Sequence, residues 1–172
     1  MNYTRTGYLA LAASVCGAVI AMQSTAPAAD QPASGSKPTV ASKVPAAATA
    51  LTVYKNATCG CCGKWVEHMR QHGFKLTVHD VDNMSPIKER VGLPYGMGSC
   101  HTAEIGGYFI EGHVPAAEVA RLLQEKPKAK GLAVPGMPIG SPGMEQGNQQ
   151  QPYDVMLVKE DGSTSVFAHY PK

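Results

Sequence analysis

The chain has 172 residues, of which 44% are hydrophobic and 16% are charged, and its formal net charge is +2. This length suits one domain with appendages, and so small a charge with no basic cluster argues against a nucleic-acid-binding module. No apolar run reaches the roughly 18 residues of a membrane-spanning helix, which argues against an integral membrane protein.

The first 50 residues have the composition of an export signal followed by a tether. Arg5 precedes an apolar stretch over residues 7–22, so residues 1–26 are predicted to form a cleaved signal peptide, with an uncleaved anchor as the alternative. Residues 27–50 are predicted to be a disordered linker, because so few large side chains cannot offset the entropy lost on ordering. Cys16 would leave with the signal, so the exported chain would carry four cysteines and no membrane span.

The folded domain is predicted over residues 51–172, and its first part alternates strands and helices. Gly73 is suited to end the first helix, Ser85-Pro86 to begin the second, and Gly106-Gly107 to turn a hairpin. The predicted elements are a strand at 51–54, a helix from the cysteine-rich turn to His72, a strand at 74–81, a helix at 85–91, a hairpin at 102–110 and a helix from Val114 to Glu125. This β-α-β-α-β-β-α order, with cysteines at the first strand-to-helix junction, is typical of an α/β domain of the thioredoxin/glutaredoxin type.

Two further pieces are predicted beyond this core. Residues 131–147 form a long loop rich in glycine, proline and methionine, and loops of this length are commonly functional or disordered. Two β-type runs around Glu160-Asp161-Gly162 predict a C-terminal β-hairpin within residues 153–170.

The cysteines carry the strongest chemical signal. Cys59, Cys61 and Cys62 fall at the start of the first helix, where unpaired N–H groups and the helix dipole favour thiolates. Helical rotation places Cys62 on the core-facing side with Trp65 and leaves Cys61 pointing away from it. Three thiols within four residues suit a soft metal better than one structural disulfide.

A second group, Cys100-His101, comes immediately before the predicted hairpin. In a thioredoxin-like fold this segment passes beside the N-terminus of the first helix, so Cys100 and His101 are predicted to meet the three-cysteine turn. Four thiolates with imidazole match Cu(I), Zn(II) or an iron–sulfur cluster. Adjacent Cys61 and Cys62 cannot easily point at one ion, so sulfurs bridging several Cu(I) ions fit the spacing better. The alternative is two structural disulfides, for example Cys59–Cys62 and one involving Cys100.

Other soft or imidazole donors are candidates for the same site. His113 lies in the turn before the last helix, near the position of the active cysteines in glutaredoxin-like folds. Met137 and Met144 lie in the Gly/Pro loop, where their thioethers would bind Cu(I) or, alternatively, fill gaps in packing. His68 and His72 have helical i,i+4 spacing, but they lie off the core stripe and are predicted to be solvated.

Four separated motifs stand out in the chain: Lys55-x-x-x-Cys59-Gly-Cys-Cys-Gly-x-Trp65, Ser99-Cys-His-Thr102, Glu111-Gly-His-Val-Pro115 and the loop from Gly131 to Glu145. Together they resemble the CopG-type family of periplasmic copper-resistance proteins, a domain long catalogued as of unknown function. The resemblance implies a thioredoxin-like domain with a cysteine-bridged multicopper site. It places the cluster ligands at Cys59, Cys61, Cys62 and Cys100, with histidine help from His113 or His101. Storage, delivery and redox conversion of copper all remain open as the family's role.

The favoured hypothesis is therefore a periplasmic protein that holds several Cu(I) ions in copper resistance or homeostasis. Copper ions are its expected ligands, and copper-efflux or copper-oxidising proteins of the envelope are its candidate partners. The rival from another class is an enzyme, a thiol–disulfide or copper oxidoreductase using a helix-terminal thiolate. A disulfide-stapled adhesion or scaffold module is the third possibility.

Overall fold

The computed structural model describes residues 50–172, and within that range no helix combines the length and apolarity needed to cross a bilayer. The predicted signal peptide (residues 1–26), the predicted linker up to residue 49, and Cys16 lie outside the described residues. The elements in chain order are β1 (Ala50–Lys55), α1 (Gly60–Gln71), β2 (Lys75–Asp80), α2 (Ser85–Arg90), β3 (His101–Ile105), β4 (Tyr108–Glu111), α3 (Ala116–Glu125), β5 (Ala129–Ala133), β6 (Tyr153–Lys159) and β7 (Thr164–Tyr170).

The strands form a seven-stranded mixed sheet in the order β2-β1-β3-β4-β5-β6-β7. β1 pairs in parallel with β2, and β4 pairs in parallel with β5. The other neighbouring strands are antiparallel, including the predicted hairpins β3–β4 and β6–β7. The α/β class is therefore confirmed, and the C-terminal hairpin extends the same sheet rather than standing apart from it.

The main core joins the sheet to α1 and α3. Trp65 and Met69 of α1 and Val119 and Leu122 of α3 have no exposed surface and belong to one apolar cluster with strand residues such as Val53. Because apolar residues recur every three to four positions in both helices, each helix buries one continuous stripe against the strands. This packing holds the first turn of α1 at the end of β1.

The predicted Gly/Pro/Met loop is shorter than expected at its N-terminal end. Residues 129–133 form β5, which pairs with β4 and β6, so the loop begins only after Ala133. A side chain at Gly131 would overlap the carbonyl oxygen of Phe109, so glycine permits the close approach of these two strands. Leu132 and Val134 are fully buried. The apolar run is too short to be recognised as a strand without the partners that bury it.

The start of α2 also differs from the prediction in detail. The Ser85-Pro86 pair predicts a helix with Ser85 as its cap and Pro86 as its first residue, whereas the cap position is Met84 and Ser85 is the first helical residue. The side chain of Asn83 accepts a hydrogen bond from the Ser85 N–H at 3.0 Å, so Asn83 supplies the acceptor instead.

Candidate metal centre

Three cysteines are placed by the first turn of α1. Cys59 is the N-cap residue, and its sulfur accepts a hydrogen bond from the Cys62 N–H at 3.4 Å. Cys62 is fully buried beside Trp65, whereas Cys61 is partly exposed. The prediction from helical rotation, with Cys62 on the core-facing side of α1 and Cys61 pointing away from the core, is confirmed.

Cys100 meets these cysteines from the neighbouring strand. It directly precedes β3, and β3 pairs with β1 so that His101 lies opposite Lys55, close to where the chain turns into α1. Its sulfur lies 3.3 Å from that of Cys62 and 3.8 Å from that of Cys61. All four cysteine sulfurs lie within 4.8 Å of one another, so the predicted meeting of the two cysteine groups is confirmed.

The four cysteines are not all free thiols. Cys59 and Cys62 are joined by a disulfide bond, while Cys61 and Cys100 are free. This pair is one of the two disulfides in the alternative drawn from the sequence, but Cys100 does not form the second. Reducing the disulfide takes two electrons and yields the four thiols that a soft metal cluster would use.

The protonated thiol is the favoured form of Cys100 near neutral pH. Burial first, and the neighbouring Cys61 second, raise the pKa of the Cys100 thiol to about 11. A soft cation would displace that proton, because the thiolate is the metal-binding form.

His113 presents one ring nitrogen to Cys100. Its Nδ1 lies 2.8 Å from the carbonyl oxygen of Pro142, which can only accept, so Nδ1 carries the proton. Nε2, left as the acceptor, lies 3.3 Å from the Cys100 sulfur. Burial lowers the pKa of His113, which favours the neutral, metal-binding imidazole. The loop carbonyl thus orients the ring as an outer partner orients a metal-bound histidine.

His101 approaches Cys100 from the strand side. Its Nδ1 lies 3.5 Å from the Cys100 sulfur, and its ring centroid lies 4.4 Å from that of Trp65. Its Nε2 is buried and has no hydrogen-bond partner among residues 50–172, an uncommon state for a buried polar atom. Burial, then the charges of His113 and Lys88, hold the pKa of His101 well below its usual value. Together, Cys100, His101 and His113 form a second group whose ligand atoms lie within 4.8 Å of one another.

The two loop methionines are placed differently. The Met137 sulfur lies 4.0 Å from the Cys61 sulfur, and half of the Met137 side chain is exposed. Met144 is held by backbone hydrogen bonds with Gly140 and Ser141. Within the described part of the chain, its sulfur makes no hydrogen-bond contact with a cysteine. The structure therefore brings the Met137 sulfur to the cysteine group.

The loop that carries Met137 is packed directly on α1. Gly143 has φ of +87°, and a Cβ there would lie 2.7 Å from the Cys61 carbonyl oxygen and 2.8 Å from the Trp65 nitrogen. Only glycine allows this contact, which sets Pro142 over His113. The sequence does not predict that Pro142 orients His113, because the interaction is made by a backbone carbonyl group and does not depend on the type of side chain.

His68 is not the solvated residue that its position off the core stripe predicts. Its Nε2 accepts a hydrogen bond at 3.1 Å from the N–H of Ala116, the first residue of α3. The N-cap of that helix, Pro115, makes no side-chain capping bond, so His68 supplies an acceptor from another helix. Burial first, and the charge of His72 second, lower the pKa of His68 to about 4, against a smaller opposing effect of Glu145.

We expect the stability of the protein to fall as the pH decreases from about 6.5 towards 4. In this window the unfolded chain binds a proton at His68 and the folded chain does not, so protonation favours unfolding. His68→Gln keeps an acceptor for Ala116 but does not titrate, so it should reduce this fall and change stability at pH 8 by less than about 1 kcal/mol. Some fall should remain, because His101 and His113 also have lowered pKa values. Urea unfolding at pH 8, 6 and 4.5 measures both proteins, and equal pH slopes would contradict the expectation.

Comparison with known proteins identifies the family. Residues 97–144 match a family described as "Protein of unknown function, DUF411", and no curated protein is significantly similar to the chain. The solved structure "Copper resistance protein copG- Form 2" is 51% identical, covers 71% of this chain and 98% of its own, and has a TM-score of 0.68. "Copper resistance protein copG- Form 1" is 50% identical, with 72% and 98% covered and the same TM-score. The chain belongs to the CopG-type copper-resistance family.

Proposed function

We propose that the protein is an exported, periplasmic copper-binding protein that holds several Cu(I) ions in its reduced form. The observation that carries the proposal is the meeting of Cys59, Cys61, Cys62 and Cys100, with sulfurs within 4.8 Å of one another. Thiolates are the ligands that Cu(I) prefers in proteins. Two solved relatives at 50% identity or more are named copper resistance proteins, which supports the same metal.

The arrangement of donors favours a cysteine-bridged cluster over one ion. Cys100 belongs to both donor groups, one with the other three cysteines and one with His101 and His113. A sulfur shared by two groups is suited to bridge metal ions. The proposal therefore assigns the four cysteines as ligands, His113 and His101 as imidazole donors, and Met137 as a thioether on the exposed side. Met144, from the same loop, is the second thioether donor that we propose.

The fold and the N-terminus support the remaining assignments. The order β2-β1-β3-β4, with β1 parallel to β2 and β3 antiparallel to both its neighbours, supports a thioredoxin-like core that β5, β6 and β7 extend. The apolar segment behind Arg5 supports export and a periplasmic location. Envelope copper-efflux or copper-oxidising proteins are the partners that we propose for metal exchange.

One observation favours the alternative function, a thiol–disulfide or copper oxidoreductase. The Cys59–Cys62 disulfide lies at the N-terminus of α1, and the free thiol of Cys100 lies 3.3 Å from the Cys62 sulfur, within reach for exchange. Copper binding is better supported, because exchange requires neither Cys61 nor the two histidines around Cys100.

Anaerobic Cu(I) titration of the chain lacking residues 1–26, with free-thiol counting on each sample, tests the proposal. We expect the fully reduced protein to bind more than one Cu(I) per chain. The form with the Cys59–Cys62 disulfide retains two free thiols and should bind fewer ions. A stoichiometry of one, lost equally on removal of any cysteine, would indicate a mononuclear site instead. Turnover of a disulfide substrate by the metal-free protein would favour the oxidoreductase.

A further inference from the structure

A charged pair made of a fully buried carboxylate and a partly exposed ammonium group lies behind the cysteine–histidine segment, and the proposed copper chemistry does not use it. Glu111, at the end of β4, has no exposed side-chain surface, and the ammonium group of Lys88 from α2 contacts its carboxylate. Burying a carboxylate is unfavourable unless hydrogen bonds or an opposite charge satisfy its oxygens. The hydrogen-bond partners of the Glu111 carboxylate indicate its role.

The carboxylate holds both ends of the segment that carries Cys100. One oxygen accepts a hydrogen bond from the Ser99 N–H at 2.6 Å, and the other accepts from the Thr102 hydroxyl at 2.6 Å. Cys100 and His101 are the two residues between these anchors. Ser99 lies outside β3, so it has no place in the regular strand pairing that fixes the residues after it. Hydrogen bonds to a charged acceptor are about twice as strong as neutral ones.

Gly112, the residue after Glu111, contacts the same segment on both sides of Cys100. The Gly112 N–H donates to the carbonyl oxygen of His101 at 3.0 Å. Gly112 has φ of +70°, and a Cβ there would lie 2.5 Å from the Ser99 Cβ, so the chain before Cys100 lies directly against this glycine. Glu111 and Gly112 therefore fix the backbone before and after Cys100.

We propose that Glu111 is a positioning residue for the metal centre. Its carboxylate, paired with Lys88, fixes Ser99 and Thr102 so that the Cys100 sulfur faces Cys62 and His113. The consequence for copper affinity rests on the proposed function. The effect of Glu111 on the position of the Cys100 thiol does not rest on the proposed function, because the accessibility of that thiol can be measured without metal.

The test compares Glu111→Leu with the double variant Lys88→Met/Glu111→Leu. The single variant leaves the Lys88 ammonium without its partner, whereas the double variant removes both charges and should recover most of the lost stability in urea unfolding. Neither variant offers an acceptor to Ser99. The matched control is Glu104→Leu, which removes the other ion pair between α2 and the sheet, that of Arg90 with Glu104 on β3.

The first readout is alkylation by iodoacetamide of the metal-free protein with the Cys59–Cys62 disulfide intact, resolved for each thiol by mass spectrometry. We expect Cys100 to react at least about fivefold faster in both Glu111 variants, because its half-buried thiol is released. Cys61, which is held by α1, should change less than about twofold and serves as the internal standard. Glu111→Gln, which keeps one acceptor oxygen, should give an intermediate rate for Cys100.

The second readout is the Cu(I) affinity of the reduced proteins, which should fall about 10- to 100-fold in both Glu111 variants, as expected for loss of an outer partner of a metal ligand. An unchanged Cys100 rate in Glu111→Leu would overturn the inference. The inference would also be overturned if the double variant recovered the wild-type stability, the wild-type alkylation rate of Cys100 and the wild-type Cu(I) affinity together. Glu111 would then act only on the stability of the protein. If the wild-type protein binds no Cu(I) while the Cys100 rate still rises selectively, positioning is upheld and the copper proposal fails.

Discussion

Replacing Cys100 by alanine should abolish cluster formation and leave the reduced protein able to bind at most one Cu(I) ion per chain. Cys100 contacts the sulfurs of Cys61 and Cys62 on one side and the ring nitrogens of His101 and His113 on the other. Its loss would separate the two donor groups. Because outer-shell changes already cost 10- to 100-fold in metal affinity, loss of this direct ligand should cost about 100-fold or more.

The comparison variants for this prediction are Cys61→Ala and His169→Ala. Cys61 belongs to one donor group only, so its loss should lower the affinity but leave Cys100, His101 and His113 able to bind an ion. His169 pairs with Asp154 on the exposed face of the C-terminal hairpin and should have no effect. Competition titration with a Cu(I) chelator ranks the variants. Equal losses for Cys100→Ala and Cys61→Ala would argue against Cys100 as the bridging ligand.

Gly143→Ala should destabilise the protein by about 2–4 kcal/mol, through backbone strain and steric overlap together. The added Cβ would meet backbone atoms of Cys61 and Trp65, which cannot move without disturbing the first turn of α1. The loop should lift, and the neighbouring Pro142 carbonyl would no longer orient His113. We therefore expect lower Cu(I) affinity as well as a lower midpoint of urea unfolding.

Gly63→Ala is the matched control for this substitution. Gly63 lies within α1, and a Cβ there has no atom within 4 Å. Alanine is the better helix former by up to about 1 kcal/mol, so this variant should be neutral or more stable. Trp65, the only tryptophan in the chain, reports unfolding of both variants by its fluorescence. Equal stability of Gly143→Ala and the wild type would show that the loop does not depend on this contact.

The positions of the four cysteine sulfurs explain why reduction should control the site. The four sulfurs are already close together, so reducing the Cys59–Cys62 bond changes the number of thiols without requiring a new fold. Cys100 keeps its proton until a cation displaces it, because burial raises the pKa of its thiol. Copper binding should therefore release protons as well as depend on the reduced state.

Local signals in the sequence were sufficient for the order of the elements other than β5 and for one half of the site. Gly73 after the first helix and Gly106-Gly107 in the hairpin each have positive φ, as the turns predicted there require. The face of α1 that carries Cys62 followed from helical period alone. The meeting of Cys100 with that turn was predicted through the thioredoxin-like order of strands, because strand pairing converts a distant segment into a neighbour.

What only the tertiary structure decided depends on contacts between distant residues. Strand β5 exists because β4 and β6 bury it, and His68 is half-buried because α3 begins against its ring. The contact of Met137 with Cys61 is set by a loop resting on α1. These outcomes depend on burial and on hydrogen bonds between residues that are far apart in the sequence. Neither of these leaves a pattern in the local sequence. Composition, period and turn residues determined the succession of elements in this protein apart from β5; the three-dimensional packing decided that strand and decided which sulfur, nitrogen and carbonyl atoms meet.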